Sequence, residues 1–297
     1  YICDTVRRVS EQQLPDGWQL DIYAVDDGST DDTRERLLQL KESVAELHVV
    51  RADENGGRSQ ACNLGLEAGS GSVLVICDAD CRYTRADAIA EFVDEIERGA
   101  DVVIGLVELA GDGFWARYTN SVAAERLANE TAHGLMSYTT ANFSIRREAI
   151  AQVQGFSSDY GHYGFEDKDL LIRIERAGLN TTIREDVTVS HDDDFTLAAV
   201  CRKAGESGRY SAAVFRNRFP DEYRQLAYAR CDATLASGMR ILKPLSLPLK
   251  HLARFFAAVA LSLPGALFRL QRFAVRVAVC AAYFRGTAVQ TAPTDSA

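Results

Sequence analysis

The chain lacks the cysteine spacing of a metal-binding or disulfide-stapled domain. Its seven cysteines include no C-x-x-C pair and follow no regular framework. Structural zinc sites and small disulfide scaffolds both depend on such spacing, so neither class of protein fits this sequence. We expect the thiols to be free, as is usual for cytosolic proteins.

An excess of positive charge is also missing. The formal net charge is −9 and the pI is about 5.2, whereas a protein that binds nucleic acid normally carries a basic face. We therefore expect no nucleic-acid partner. The charge is unevenly distributed, because the chain from Met239 onward has eight Lys or Arg and one acid, Asp295. This tail carries +7 and the rest of the chain −16.

Long hydrophobic runs are absent as well. The longest uncharged run of the tail, residues 255–268, has fourteen residues, whereas a helix needs about 20 apolar residues to span a bilayer. Apolar stretches that alternate with Lys and Arg favour a pair of basic amphipathic helices, which would contact an anionic membrane surface through residues 239–285. A helical subdomain that packs on the rest of the chain or on a partner subunit is the alternative.

Short β-rich runs alternate with helical stretches in the first third of the chain. We predict strands at residues 20–25, 47–51, 73–77 and 101–106, and helices at 1–14, 33–41 and 86–98. This alternation predicts an α/β fold with a mostly parallel sheet flanked by helices. In such folds, ligands bind beyond the carboxyl ends of the strands.

Acidic residues follow several of the predicted strands. The clusters are Asp26-Asp27, Asp78-Ala79-Asp80, Glu166-Asp167 before a helix predicted at 170–177, and His191-Asp192-Asp193-Asp194 after a short strand predicted at 187–189. Oxygen ligands at one edge of a sheet suit Mg²⁺ or Mn²⁺, which typically keep substrate phosphates in their coordination shell. An isolated D-x-D is common by chance, so this cluster alone is weak evidence of a site.

Four motifs stand in a fixed order along the chain. They are Val25-Asp26-Asp27-Gly28-Ser29-Thr30-Asp31, Asn55-Gly56-Gly57-Arg58 through Ala61-x-Asn63-Leu64-Gly65, Asp78-x-Asp80, and Gly164-Phe165-Glu166-Asp167-x-Asp169-Leu170. In this order and spacing the sequence resembles the family 2 glycosyltransferases of the GT-A fold, over roughly residues 1–195. Ordered motifs are far more specific than a single D-x-D.

The resemblance also implies a domain organisation. We expect a GT-A catalytic domain with a Rossmann-like sheet at residues 1–195, in which the family's first strand has no counterpart. A helical acceptor-side region at 196–238 and the basic tail at 239–297 would form a helical C-terminal extension.

The resemblance implies that the first two motifs bind the nucleotide sugar. Asp27, with Asp26, would contact the base, since a carboxylate can accept a hydrogen bond from the imide N–H of uracil. Asn55 and Gly57 would let the backbone approach the nucleotide, with Arg58 beside them. A cluster of Asx turns is the alternative for the aspartates, and a solvated arginine at a helix start is the alternative for Arg58.

The remaining motifs would carry the metal and the reaction. The resemblance implies that Asp78 lies near the ribose and that Asp80 binds the metal, with His191 as a further ligand; a structural histidine is the alternative. It also implies that Asp167 is the base that deprotonates the acceptor hydroxyl, while Glu166 positions the acceptor or the base. A capping pair at a helix start is the alternative for these two acids.

The function implied by the resemblance is an inverting transfer of a sugar from a nucleotide-diphosphate donor, with Mn²⁺ or Mg²⁺ as cofactor. The donor would be a UDP-sugar by family habit, and the acceptor a hydroxyl of a glycan or lipid-linked molecule in cell-surface polysaccharide synthesis. We expect a cytoplasmic protein at the cytoplasmic face of the cell membrane. An inactive glycosyltransferase-like scaffold or carbohydrate-binding protein is the alternative. A sugar nucleotidyltransferase and a dinucleotide-binding oxidoreductase both lack their glycine-rich loops here.

Overall fold

The computed structural model describes residues 1–192, 195–235 and 241–290. The chain divides into two compact units, of which the first comprises Tyr1–Ser158 with Glu166–Asp193, and the second Asp159–Phe165 with Asp194–Ala297. The predicted boundary between residues 238 and 239 lies outside the described residues. So do Asp193 and Asp194 of the predicted His191 cluster and the end of the predicted tail, residues 291–297.

The first unit contains the sheet. Its strands are β1 (Ile22–Asp26), β2 (Leu47–Arg51), β3 (Val73–Cys77), β4 (Cys81–Tyr83), β5 (Val102–Leu109), β6 (Asn142–Arg146) and β7 (Thr181–His191). Its helices are α1 (Ile2–Ser10), α2 (Thr33–Lys41), α3 (Gly57–Ala68), α4 (Ala88–Glu97), α5 (Phe114–Leu127), α6 (Glu130–His133), α7 (Arg147–Gln152) and α8 (Glu166–Arg176). The predicted α/β alternation is therefore confirmed, and α8 begins four residues before the predicted helix start at 170.

The strands are less parallel than predicted. β1 and β2 form a parallel pair, whereas the other five strands form a mixed sheet in the order β3-β6-β5-β7-β4. The helical crossovers do make β3 and β5 run in the same direction, as the alternation requires. The later strand β6 inserts between them and pairs antiparallel with both, and β4 pairs antiparallel with β7. The prediction of a mostly parallel sheet was wrong because it did not include β4 and β6, the two strands that run antiparallel to their neighbours.

Both faces of the mixed sheet are buried. On β5, Val103 contacts a cluster built on α4, whereas its neighbours Val102 and Ile104 contact a cluster built on α7 and α8. All three side chains are fully buried, because successive residues of a strand point to opposite faces and helices cover each face. A third cluster joins α1 and α2 to β1 and β2. These layers fix the strand ends, where the predicted site residues lie.

The second unit is helical in its described part. Its helices are α9 (Leu197–Arg209), α10 (Ser211–Arg218), α11 (Pro220–Gln225), α12 (Ser246–Leu261) and α13 (Phe268–Ala288). Glycines allow α9 and α13 to approach closely, since a Cβ on Gly208 would lie 2.6 Å from the carbonyl oxygen of Tyr283. Within the described residues, no helix is both long and apolar enough to traverse a bilayer.

One pair of cysteines differs from the sequence-based expectation. Cys231 and Cys280 form a disulfide between a 3₁₀ turn and α13, so the prediction of free thiols was wrong for this pair. Pairing across 49 residues leaves no local spacing motif in the sequence, which is why the bond was not predicted. The other five cysteines are free.

Candidate active site

Strand pairing brings Asp80 and His191 together. Asp80 immediately precedes β4, and the register of the antiparallel β4–β7 pair places Cys81 opposite His191. The His191 Nε2 atom consequently lies 3.3 Å from Asp80 Oδ2. The backbone N–H of Asp192 donates to the carbonyl oxygen of Asp80 at 2.8 Å and holds the two segments in register.

The donor atoms of this group suit a divalent cation. Asp80, Cys81 and His191 each offer one potential ligand atom, and these atoms lie within 4.8 Å of one another. A carboxylate oxygen and an imidazole nitrogen are ligands that Mn²⁺ accepts. Cys81 fits less well, because burial raises the pKa of its thiol and a neutral thiol is a poor ligand for a hard cation. The residues that fit the predicted ion are thus Asp80 and His191.

Arg58 connects the predicted ribose-side and catalytic carboxylates. It lies in the first turn of α3, where its Nε and Nη2 atoms donate to Asp78 Oδ1 at 3.0 and 2.7 Å. Its Nη1 atom donates to Asp167 Oδ1 at 2.7 Å, so one guanidinium bridges both acids. Burial opposes the charge of Arg58, but Asp167 and Asp78 outweigh it and raise the pKa of Arg58 well above its ordinary value. Arg58 is therefore a structural centre of the site and not a solvated arginine.

Two threonines complete the surroundings of Asp167. The Thr140 hydroxyl donates to Asp167 Oδ1 at 2.5 Å, and the Thr139 hydroxyl donates to Oδ2 at 2.7 Å. Burial by itself would raise the pKa of Asp167, but Arg58 and both hydroxyls outweigh burial and hold that pKa below its usual range. Asp167 is accordingly an ionised carboxylate at neutral pH.

Glu166 and Lys168 flank Asp167 at the start of α8. Glu166 is buried in the first turn of α8. Lys168 donates from Nζ to the carbonyl oxygen of Met136 at 2.7 Å. Burial, reinforced by Arg126, lowers the pKa of Lys168 to about 8 against the opposing effect of the two acids. The start of α8 thus gathers charges that a simple capping pair would not need.

The predicted base-binding motifs also meet. Both oxygens of Asp27 accept backbone N–H groups at the start of α3, Oδ1 from Gly56 at 3.0 Å and Oδ2 from Gly57 at 2.8 Å. The Asn55 side chain donates to the carbonyl oxygen of Asp27 at 2.9 Å. Gly57 has φ +81°, a conformation that L side chains rarely adopt. These contacts show that Asp27 stabilises the N-terminus of α3 whatever else it binds.

Asp26 differs from its neighbour in its hydrogen bonding. It is 2% exposed, and its Oδ1 atom accepts from the backbone N–H of Ser29 at 2.8 Å. Its Oδ2 atom has no hydrogen-bond partner among the described residues. A buried carboxylate oxygen without a donor is costly, so Asp26 has an acceptor to offer to a ligand N–H.

A cavity of 160 Å³ lies beside the Asp167 network, between β5 and α5. Both apolar and polar residues line it, among them Leu106, Glu108, Ala123, Arg126, Ser137 and Thr139. Thr139 belongs both to the cavity wall and to the hydrogen bonds of Asp167. Ser137 is buried, and its hydroxyl has no hydrogen-bond partner within the described part of the chain. Through Thr139, the cavity therefore adjoins the predicted catalytic base.

Models of two known protein families match the chain. The model of "Glycosyl transferase family 2" matches residues 1–154, and that of "N-terminal domain of galactosyltransferase" matches residues 126–194. The chain belongs to glycosyl transferase family 2. The resemblance seen in the motifs is thereby confirmed.

Curated relatives of this family 2 chain are glycosyltransferases by name. Glycosyltransferase AglE of Haloferax volcanii is 28% identical over 192 residues, which cover 62% of this chain and 60% of AglE. The putative teichuronic acid biosynthesis glycosyltransferase TuaG of Bacillus subtilis is 39% identical over 85 residues, which cover 29% of this chain and 32% of TuaG. The chain thus matches less than two thirds of the length of either relative.

A solved structure shows the same fold. The mannosyltransferase PcManGT from Pyrobaculum calidifontis, in complex with GDP-Man and Mn²⁺, superposes with a TM-score of 0.60 at 20% identity. The match covers 93% of this chain and 81% of that chain. The predicted GT-A class of fold is therefore confirmed.

The structure adds residues to this family 2 site that the sequence did not indicate. Thr139 and Thr140 precede β6 in a stretch without charged groups, and Ser137 ends a 3₁₀ turn. Hydroxyl residues are frequent in loops, so no local signal singled these three out. Their proximity to Asp167 arises only because α8 packs against the segment before β6.

Proposed function

We propose that this chain is an inverting glycosyltransferase that moves a sugar from a nucleotide-diphosphate donor, a UDP-sugar, to a hydroxyl of a glycan or lipid-linked acceptor. The observation that carries the proposal is the bridge of Arg58 between Asp78 and Asp167. It couples the motif expected at the donor ribose to an ionised carboxylate beside a cavity. The relatives' names support glycosyl transfer, and that of TuaG supports a role in cell-surface polysaccharide synthesis.

The donor side would be divided among three motifs. We assign recognition of the nucleobase to Asp26 and Asp27. The Oδ2 atom of Asp26, which accepts no hydrogen bond from the described residues, would accept one from a nucleobase N–H. Asn55 and Gly57 shape the adjacent turn, and Asp78 faces the ribose. Asp27 already accepts two backbone N–H groups, yet each carboxylate oxygen has a second lone pair.

Asp80 and His191 would hold Mn²⁺ or Mg²⁺. When bound, the ion supplies positive charge that stabilises the departing diphosphate. The complex of PcManGT contains Mn²⁺, which supports a divalent cofactor for the same fold.

Asp167 would accept the proton of the acceptor hydroxyl. As the acceptor oxygen forms its bond to the anomeric carbon, the bond to the diphosphate breaks on the opposite face and the configuration inverts. Because Arg58, Thr139 and Thr140 hold the pKa of Asp167 low, it is a weak base that takes the proton late, after bond formation has acidified the hydroxyl. Glu166 positions this carboxylate or the acceptor from the same turn of α8.

The cavity beside Asp167 would receive the acceptor's reacting sugar ring. An engineered cavity of about 150 Å³ holds a benzene ring, so 160 Å³ provides room for one six-membered ring. Glu108 and Arg126 contribute opposite charges to the wall, which favours a neutral ligand, and the Ser137 hydroxyl provides a partner for a sugar hydroxyl.

The decisive experiment is a screen of UDP- and GDP-sugars for Mn²⁺-dependent hydrolysis and transfer to alkyl glycosides. We expect Asp167→Asn to bind the donor normally but to turn over at least about a hundredfold more slowly, as for loss of a general base. Asp80→Asn should weaken Mn²⁺-dependent donor binding. Asp94→Asn, which changes a half-exposed acid of α4, is the matched control and should behave as wild type.

A cavity-filling variant separates the acceptor step from the donor step. We expect Ala123→Phe to reduce transfer to the alkyl glycoside while donor binding and hydrolysis remain within twofold of wild type. Its control is Val122→Leu, which enlarges the preceding residue of the same helix outside the cavity wall. If no nucleotide sugar binds, the chain is the inactive scaffold. If Asp80→Asn and Asp167→Asn keep full activity, the chain is an enzyme but the mechanism is wrong.

A further inference from the structure

Helix α12 carries a continuous stripe of large apolar side chains on its outer surface. Leu249, Leu252, Phe256 and Val259 follow one another at intervals of three or four residues, and all are exposed. This spacing places them on one face of the helix. Phe255, beside the stripe, is 62% exposed.

Helix α13 continues this surface. Its outer residues Leu270, Phe273 and Val277 are spaced in the same way, and Phe273 is 66% exposed. The residues that α12 buries are small by comparison, among them Ala257 and Ala260. A helix that packs its alanines inward and shows its phenylalanines outward, as α12 does, reverses the usual arrangement of a helix exposed to water.

Positive charge accompanies the apolar surface. Residues 241–290 contain seven Lys or Arg and no Asp or Glu. On α13, Arg269, Arg272 and Arg276 each directly precede one of the exposed apolar residues, so a row of cations runs beside the apolar row. An apolar face flanked by basic side chains matches the acyl and phosphate layers of an anionic membrane.

We infer that α12 and α13 form a hairpin that docks on an anionic phospholipid surface, with Phe255, Phe256 and Phe273 among the acyl chains. A second copy of this chain is a poorer occupant of the face, since each copy would bring the same positive charge to the interface. Docking would bring the chain to lipid-linked acceptors, so within the proposed function it favours that acceptor class over a free glycan. The inference itself concerns binding and holds whether or not a donor is found.

Vesicle co-sedimentation of the full chain tests the inference. We expect binding to phosphatidylglycerol-containing vesicles and at least tenfold weaker binding to pure phosphatidylcholine vesicles. Phe255→Ser with Phe273→Ser should lose at least tenfold in affinity for the anionic vesicles. Tyr1→Ser with Leu38→Ser, which changes two exposed apolar residues of the first unit, should bind as wild type.

A charge variant tests the electrostatic part. Arg269→Gln with Arg276→Gln should weaken binding to the anionic vesicles by about fivefold for each arginine, because each cation near such a surface contributes about 1 kcal/mol. Circular dichroism would verify that every variant is folded. Three results would overturn the inference: no binding of the wild type to anionic vesicles, equal binding of the phenylalanine variant, or a dimer in ultracentrifugation that only the phenylalanine substitutions dissociate.

Discussion

Arg58 is the residue on which the geometry of the candidate site depends. It donates to Asp78 and to Asp167, and its own positive charge is stabilised by the two carboxylates. Asp167 in turn receives hydroxyl donors on both oxygens, from Thr140 and Thr139. The ionisation of Asp167 is thus set by uncharged neighbours as well as by the arginine, and this can be tested one hydroxyl at a time.

Thr140→Val should raise the pKa of Asp167. A hydrogen bond to a charged group contributes about 1.5–3 kcal/mol, so its loss destabilises the ionised carboxylate, which is 25% exposed, by on the order of 1 kcal/mol after solvent screening. The acid limb of the kcat/KM profile, measured with the donor found in the screen, should therefore move to higher pH. Thr140→Ser should restore the wild-type profile.

The same substitution should also lower the stability of the folded chain at neutral pH. A carboxylate whose folded pKa is lowered contributes stability above its unfolded pKa, and this stability is lost as the pH falls through the folded value. Thr140→Val should therefore be less stable than wild type at neutral pH, and the difference should shrink in acid. Thr84→Val, which removes a hydroxyl that contacts Thr188 and not Asp167, is the control. An unmoved acid limb in Thr140→Val would contradict the role of the Thr140 hydroxyl.

At the level of strands, the sequence predicts where the acidic residues lie but not which strands pair beside them. Asp78 and Asp80 were placed correctly because β3 is a wholly apolar run that stops at Asp78. The approach of His191 to Asp80 depends on the antiparallel β4–β7 pair. Because β4 has only three residues, it is too short for an alternation of apolar and polar residues to be recognised in the sequence. Local sequence patterns thus located the acids, whereas the pairing partners that orient them arise from long-range strand order.

The close contact of α13 with α9 at Gly286 leads to a prediction about stability. A Cβ on Gly286 of α13 would overlap the carbonyl oxygen of Gly205 and lie 2.9 Å from the backbone nitrogen of Arg209, both on α9. Backbone atoms cannot rotate away, so we expect Gly286→Ala to destabilise the second unit by about 1–3 kcal/mol, although alanine favours helices. Calorimetric unfolding measures the loss. Gly265→Ala, which meets nothing within 4 Å, should change stability little, and equal stabilities of the two variants would refute the close-packing argument.

For the molecule as a whole, the division into two units means that different forces stabilise different parts of the chain. The first unit depends on a sheet buried on both faces, whereas the described part of the second unit is helical and contains a covalent cross-link. Ordered acidic motifs made the first unit recognisable from sequence. The second unit has no such motifs. Its basic, apolar composition predicted contact with an anionic membrane surface but not the arrangement of its helices.

The disulfide should therefore matter for the second unit alone. Closing a loop of this length reduces the entropy of the unfolded chain and typically contributes about 2–4 kcal/mol. We expect a reductant to lower the unfolding temperature of the second unit in calorimetry while nucleotide-sugar binding by the first unit persists. The variant Cys231→Ser with Cys280→Ser should resemble the reduced wild type and should not respond further to reductant.

Thiol titration makes this prediction quantitative. Unfolded without reductant, the wild type should expose five reactive thiols of its seven cysteines, and the unfolded double serine variant should expose five with or without reductant. Cys3→Ser, which removes a free thiol of the first unit, should lower the wild-type number by one and leave the response to reductant unchanged. Seven reactive thiols in the unreduced wild type would show that Cys231 and Cys280 are not bonded, and the stability of the second unit would then have to come from helix packing alone.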